Sequence, residues 1–244
     1  MNPIAANLTA VRSRIEAACA RAGRDPQSVR LLPVSKTRTV KEILRARSFG
    51  LKEFGENRAQ EARDKARELA DTDISWVIIG HLQTNKAKYV AEVASEFQAL
   101  DSVEVAQALH KRLEALGRTL DVLIQVNSSA EPQKSGIAPD QALQLAEQLA
   151  AFPSLNVKGL MTVAVNSPNR EEVADCFKRM VEVQDSLRSG SAPGSFDELS
   201  MGMSGDFELA IEHGSTCVRV GQAIFGPRPA AKSAESFEPG AGLR

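Results

Sequence analysis

The chain has little of what most acid–base, redox and metal enzymes rely on. Its 244 residues include three histidines, three cysteines, one tyrosine and one tryptophan. Cys19, Cys176 and Cys217 are odd in number, scattered and without ligand spacing. That argues against a disulfide framework or a zinc site and fits reduced thiols in a cytoplasmic protein. No apolar run approaches the ~20 residues that a membrane-spanning helix needs. The opening stretch MNPIAANLTAVRSRIEAACARAG is charged and helix-patterned, and lacks the apolar centre of a secretion signal. No charge of one sign dominates either. With a formal net charge of −1, neither nucleic acid nor a membrane surface is an expected partner.

What the chain does have is alternation. After a leading helix near residues 3–22 come eight β-type runs: LLPVS, KEFGE, WVIIG, FQALD, DVLIQVN, VKGLMTV, DELSM and TCVRVG. Between them lie stretches of helical period, among them VKEILRARSFG, NRAQEARDKARELA, VEVAQALHKRLEALG and REEVADCFKRMVEVQDSLRS. Strands alternating with helices imply a parallel sheet, and eight such units at this length imply closure. The expected fold is α/β, a single (β/α)8 TIM barrel with an extra N-terminal helix. Residues 1–226 make the barrel domain, and residues 227–244, rich in Pro, Ala, Ser and Gly, are expected to form a mobile tail.

Barrels of this kind carry their chemistry at the carboxyl ends of the strands. Lys36 ends the first run, LLPVSK. An amine delivered there into a pocket loses hydration that favours its charged form, the setting in which lysine forms Schiff bases. The last two exits carry SMGMSGD and VRVGQAIFG, where barrel enzymes commonly bind phosphate. Ser204 offers a hydroxyl at the head of GDFELAIEHG. Gly221 permits close backbone approach, and the amides of Gly221 and Gln222 complete a cup. An amine facing a phosphate cup suits either a sugar-phosphate carbonyl or pyridoxal 5'-phosphate. Arg219, inside the last run, fits the second. A guanidinium that keeps its protons would leave a pyridine nitrogen unprotonated and weaken the ring as an electron sink.

With these residues in view, the chain resembles the pyridoxal phosphate homeostasis proteins, single-domain relatives of the barrel half of alanine racemase. The matching stretches are PVSKT around Lys36, FGENRAQE from Phe54, IGHLQTNK from Ile79, KSGI from Lys134, GLMTV from Gly159, and LSMGMSGDFELAIEHGSTCVRVGQAIFG from Leu199. The resemblance implies that Lys36 holds the cofactor as a Schiff base and that Ser204, Gly221 and Gln222 hold its phosphate. It implies that Arg219 faces the pyridine nitrogen, that Asn57 lines the same pocket, and that Met201 and Met203 pack near the ring unless they are core filler. Two positions depart from the family pattern. Val77 stands where a histidine is usual, which removes any role for that histidine here, and Gln222 stands where a smaller hydroxyl residue is common.

A racemase needs a second base on the opposite face of the substrate carbon, usually a tyrosine from a second domain. Tyr89 falls on a helix flank, and residues 227–244 are too few for another domain. His81 is expected to make a structural hydrogen bond, and Lys86, Lys88 and Lys134 to sit on the surface rather than form a second anion site. The expected function is therefore binding: pyridoxal phosphate buffered on Lys36, and delivered to apo forms of pyridoxal phosphate enzymes. The rival from enzyme chemistry is a pyridoxal-phosphate-dependent racemase or decarboxylase; a cofactor-free Schiff-base aldolase is the third. The resemblance suggests a monomer or weak dimer.

Overall fold

A computed structural model describes residues 3–227. Eight parallel strands carry the fold: β1 (Arg30–Pro33), β2 (Glu53–Glu56), β3 (Ser75–Ile78), β4 (Ala94–Leu100), β5 (Leu120–Gln125), β6 (Leu155–Met161), β7 (Glu198–Ser200) and β8 (Cys217–Val220). Their order round the sheet is β1-β8-β7-β6-β5-β4-β3-β2. An isolated bridge between Val34 and Gly55 joins the two ends, with the Ser35 N–H donating to the Gly55 carbonyl at 2.9 Å. The result is a nearly closed TIM barrel. The strands are mostly buried on both faces, as expected when helices coat the outside and side chains fill the inside.

The helices are α1 (Pro3–Arg21), α2 (Val40–Arg47), α3 (Ala59–Glu68), α4 (Ala87–Val93), α5 (Val103–Leu116), α6 (Ala142–Gln148), α7 (Arg170–Ser189), α8 (Phe207–Glu212) and α9 (Gln222–Phe225). Local chemistry starts and stops them. A capping box between Thr39 and Glu42 opens α2, the Ser102 and Asn169 side chains cap α5 and α7, and Gly117 at φ 60° ends α5 in the left-handed region. The buried stripe Ile4, Leu8, Val11 and Ile15 packs α1 into one cluster with Phe207, Ile211, Ile224 and Phe225. In this way α1 fills the outer position that the four-residue α9 is too short to cover.

The sequence places the strands within a few residues, with one larger shift. The segment TNKAKYVAEVA is helical only to Val93, and β4 begins at Ala94 rather than Phe97. Glu96 thereby sits inside the barrel, where Arg30 pairs with it at 2.8 Å and with Glu198 at 2.8 Å and Glu53 at 3.4 Å. The stretch PDQALQLAEQLAAF is α-helical only over α6, with 3-10 turns on either side. Of the expected tail, residues 228–244 lie outside the described residues.

Candidate functional site

At the carboxyl ends of the strands lies a cavity of about 400 Å³, within the range of ~300–1,000 Å³ usual for small-molecule sites. Lys36, Asn57, Ser204, Arg219, Gly221 and Gln222 all line it. The residues nominated from β1, β2, β7 and β8 thus converge on one space. Met201 does not line it. That side chain is fully buried in the barrel core, while Met203, two residues on, forms part of the wall. Gly202 between them, at φ 95°, turns the chain at the strand exit.

Each nominated group is held by its surroundings. Ser204 lies beside α9 and accepts a hydrogen bond from the Ala223 N–H at 3.4 Å, so the serine joins the β7 exit to the β8 exit. Met203, Ser204 and Gly205 just before α8, and Gly221 and Gln222 at the turn into α9, all line the cavity. At Gly221 a Cβ would come 3.1 Å from the Val34 carbonyl oxygen, which ties this turn to the β1 exit. Asn57 keeps a buried Oδ1 without a hydrogen-bond partner, an acceptor held ready in the cavity wall. Its backbone is pinned by Gly80, where a Cβ would stand 2.2 Å from the Asn57 carbonyl oxygen.

Arg219 is almost wholly buried. It donates from Nη1 to the Ser200 carbonyl and Oγ, both at 2.7 Å, and from Nη2 to the Thr162 carbonyl at 2.6 Å. Burial pulls its guanidinium below the ordinary arginine value, and Asp206 opposes that pull. Beneath it a polar column descends the barrel. Ser200 donates to Gln98 Oε1 at 2.7 Å, and Gln98 Nε2 donates to Glu96 in the Arg30 cluster. The column fixes Arg219 from below, and Arg219 also lines the cavity.

Sequence reasoning missed Arg38, Ile79 and Val163 in the wall. Arg38 donates to the carbonyls of Gly226 and Pro227 and lies over the Phe225 ring, fastening the end of the barrel to the β1 exit. Its nearness in sequence to Lys36 was the available signal. Ile79 and Val163 offer apolar faces against which a flat ring can pack. The remaining candidates lie elsewhere. Val77 is fully buried with Leu32 and Cys217 in the barrel interior. His81 faces Asp101 at 3.4 Å, and Lys134 donates to the Ala164 carbonyl at 2.9 Å. Lys86 and Lys88 lie against the Tyr89 ring, 5.8 and 5.0 Å from its centroid.

Comparison with known proteins places this geometry. The family profile described as "Alanine racemase, N-terminal domain" matches residues 6–229. A pyridoxal phosphate homeostasis protein of Pseudomonas aeruginosa is 41% identical over 228 residues, covering 93% of this chain and 97% of that protein. Its Escherichia coli counterpart is 41% identical over 237 residues, covering 95% of this chain and 100% of that one. The chain belongs to the pyridoxal phosphate homeostasis family. The structure of PipY from Synechococcus elongatus with PLP bound has a TM-score of 0.80 at 33% identity, covering 91% of this chain and 100% of that chain. An alanine racemase of Clostridium difficile has a TM-score of 0.73 at 14% identity, covering 95% of this chain and 58% of that one, and shares the fold.

The cavity suits this cofactor. Its wall offers the kinds of group such a cofactor would need: the Ser204 hydroxyl and the Gly221–Gln222 turn for an anion, Ile79 and Val163 for a flat ring, and the Arg219 guanidinium. Asn57 Oδ1 waits for a donor, and a lysine stands on the same wall.

Proposed function

We propose that the protein binds pyridoxal 5'-phosphate in this cavity, holds it covalently on Lys36, and serves to buffer or deliver it in the cytoplasm rather than to turn over a substrate. The observation that carries the reading is the sharing of one cavity by Lys36, Arg219 and the turn of Ser204, Gly221 and Gln222. When bound, the cofactor supplies an aldehyde that an amine captures reversibly as a Schiff base with loss of water. Ser204 and the amides of Gly221 and Gln222 would take the phosphate. Arg219, anchored through Ser200 and Thr162, would present a donor to the ring nitrogen and no proton to give away.

The wall chemistry favours holding over turnover. Among the described residues that line the cavity there is neither histidine nor tyrosine, and Tyr89 stands among Arg63, Lys86 and Lys88 instead. A second base opposite Lys36, which racemisation requires, has no counterpart in that wall. The three free, buried cysteines suit a reducing compartment. Release to apo-enzymes by an incoming amine, and a monomeric or weakly dimeric state, complete the proposal.

The test is the visible spectrum of the untreated protein, followed by borohydride reduction and mapping of the labelled peptide. The label is expected on Lys36 and absent from Lys36→Ala. A reduced label at the same cavity in Lys36→Ala, or sustained Lys36-dependent conversion of an amino acid, would overturn the reading.

A further inference from the structure

Next to the segment that carries Lys36 lies an ion triad, two of its members buried and Glu61 partly exposed, that the cofactor site does not itself use. Lys65 of α3 is 8% exposed and Glu56, the last residue of β2, is fully buried. The Lys65 ammonium donates to Glu56 Oε1 at 2.7 Å and to Glu61 Oε1 at 2.8 Å. Burial pushes the Glu56 carboxyl above the usual range, against the pull of Lys65 and Ser35, and its Oε2 has no partner.

The triad's other contacts converge on two residues, Ser35 and Thr37. The Ser35 hydroxyl donates to Glu56 Oε1 at 2.6 Å, and the Ser35 carbonyl accepts from Lys65 Nζ at 2.9 Å. The Thr37 N–H donates to Glu61 Oε1 at 2.8 Å. Thr37 is held at φ 64°, a conformation unfavourable for a branched side chain. One lysine and two carboxylates therefore clamp Ser35 and the strained Thr37, the residues on both sides of Lys36. Stability alone is a weak reason to bury Lys65 and Glu56, because a buried ion pair is often no more stabilising than apolar residues of similar volume. The triad's contacts have another use: they fix where the Lys36 side chain leaves the backbone.

We propose that Lys65, Glu56 and Glu61 are positioning residues that aim Lys36 at the aldehyde of a ligand seated in the cavity. The inference rests on the reading of Lys36 given above. The triad does not touch the ligand, and acts by keeping the Ser35–Thr37 backbone in the one conformation that directs the amine inward.

The experiment compares the wild type with Glu61→Ala, Glu61→Gln and Lys65→Met. Two quantities are read: the rate at which pyridoxal phosphate becomes borohydride-trappable on Lys36, over a range of pH, and the affinity for pyridoxamine 5'-phosphate, which carries the same phosphate and ring but no aldehyde. In Glu61→Ala and Lys65→Met the rate is expected to fall by about tenfold or more, the scale on which misplaced reacting groups lose rate. Pyridoxamine phosphate affinity is expected to stay within about twofold, a difference too small to reflect a lost contact. Glu61→Gln keeps an acceptor for the Thr37 N–H and should recover most of the lost rate. Wild-type rates with an unchanged pH profile in Glu61→Ala and Lys65→Met overturn the proposal. So does parallel loss of pyridoxamine phosphate binding, which makes the triad merely structural. Failure of the underlying reading is distinguishable, since the wild type itself would then give no label on Lys36.

Discussion

Gly80 and Asn57 are in backbone contact: a Cβ at position 80 would lie 2.2 Å from the carbonyl oxygen of Asn57. The β3 exit can approach the β2 exit only because residue 80 has no side chain. Gly80→Ala must push Asn57 away, and Asn57 lines the cavity. Overpacking of this kind costs about 1–3 kcal/mol. The variant should melt at lower temperature and release pyridoxal phosphate faster than the wild type in equilibrium dialysis. Unchanged retention would mean that Asn57 does not help to hold the ligand.

Ser204 joins two strand exits through Ala223. Removing its hydroxyl would delete the donor that the proposal assigns to the phosphate, and a hydrogen bond to a charged group contributes about 1.5–3 kcal/mol. Ser204→Ala should therefore weaken pyridoxal phosphate binding by about tenfold or more, with the Lys36 label still forming at saturating ligand. The measurement is a spectrophotometric titration. Equal affinity for wild type and variant would remove Ser204 from the cup.

Arg30 is the cation for three carboxylates at the amino-terminal end of the barrel. Arg30→Met leaves Glu53, Glu96 and Glu198 without it; breaking a fully buried pair costs about 3–5 kcal/mol, and the partial exposure of Arg30, Glu53 and Glu198 places this loss below that range. Burial already pushes Glu96 upward, with Arg30 as the main opposing pull. In the variant the folded state should therefore bind protons that the unfolded chain does not, and gain stability as the pH falls. Chemical denaturation at pH 8 and pH 5 should show the deficit shrinking at the lower value. A deficit independent of pH would contradict this account.

His213 closes α8, and its imidazole is pushed below the ordinary value, chiefly by burial and then by Lys178. In the unfolded chain it titrates near pH ~6.5. Between the folded and unfolded values the unfolded chain binds more protons, so this contribution to stability is complete above the unfolded value and is lost as the pH falls through the folded one. Melting temperatures of the wild type should drop below about pH 6.5 more steeply than those of His213→Gln. Parallel curves would place the histidine in solvent.

The strands and most of the site could be read in the sequence because each β run ends at a short polar or glycine-rich exit, and barrel geometry brings such exits together. Lys36, Ser204 and Gly221 stand at such exits and Arg219 inside the last run, and all four line the cavity. Met201 and Met203 could not be separated, since the turn made by Gly202 at φ 95° breaks the alternation that would have sorted core from wall. Lys65 was hidden for a different reason. NRAQEARDKARELA reads as a solvated charged face, yet Lys65 and its partner Glu56 are buried. The i,i+4 spacing of Glu61 and Lys65 pointed to a pair. The third member comes from a neighbouring strand, and no local pattern reports it. Glu96 escaped in the same way, as a carboxylate whose partner Arg30 stands 66 positions away.

The cylinder is joined between its first and second staves by the Val34–Gly55 bridge, two residues before Lys36. The hasp of the ring and the proposed hook for a cargo thus stand on one short stretch of chain. On the proposed reading, a change at that fastening would reach Lys36 before it reached the seven other joints.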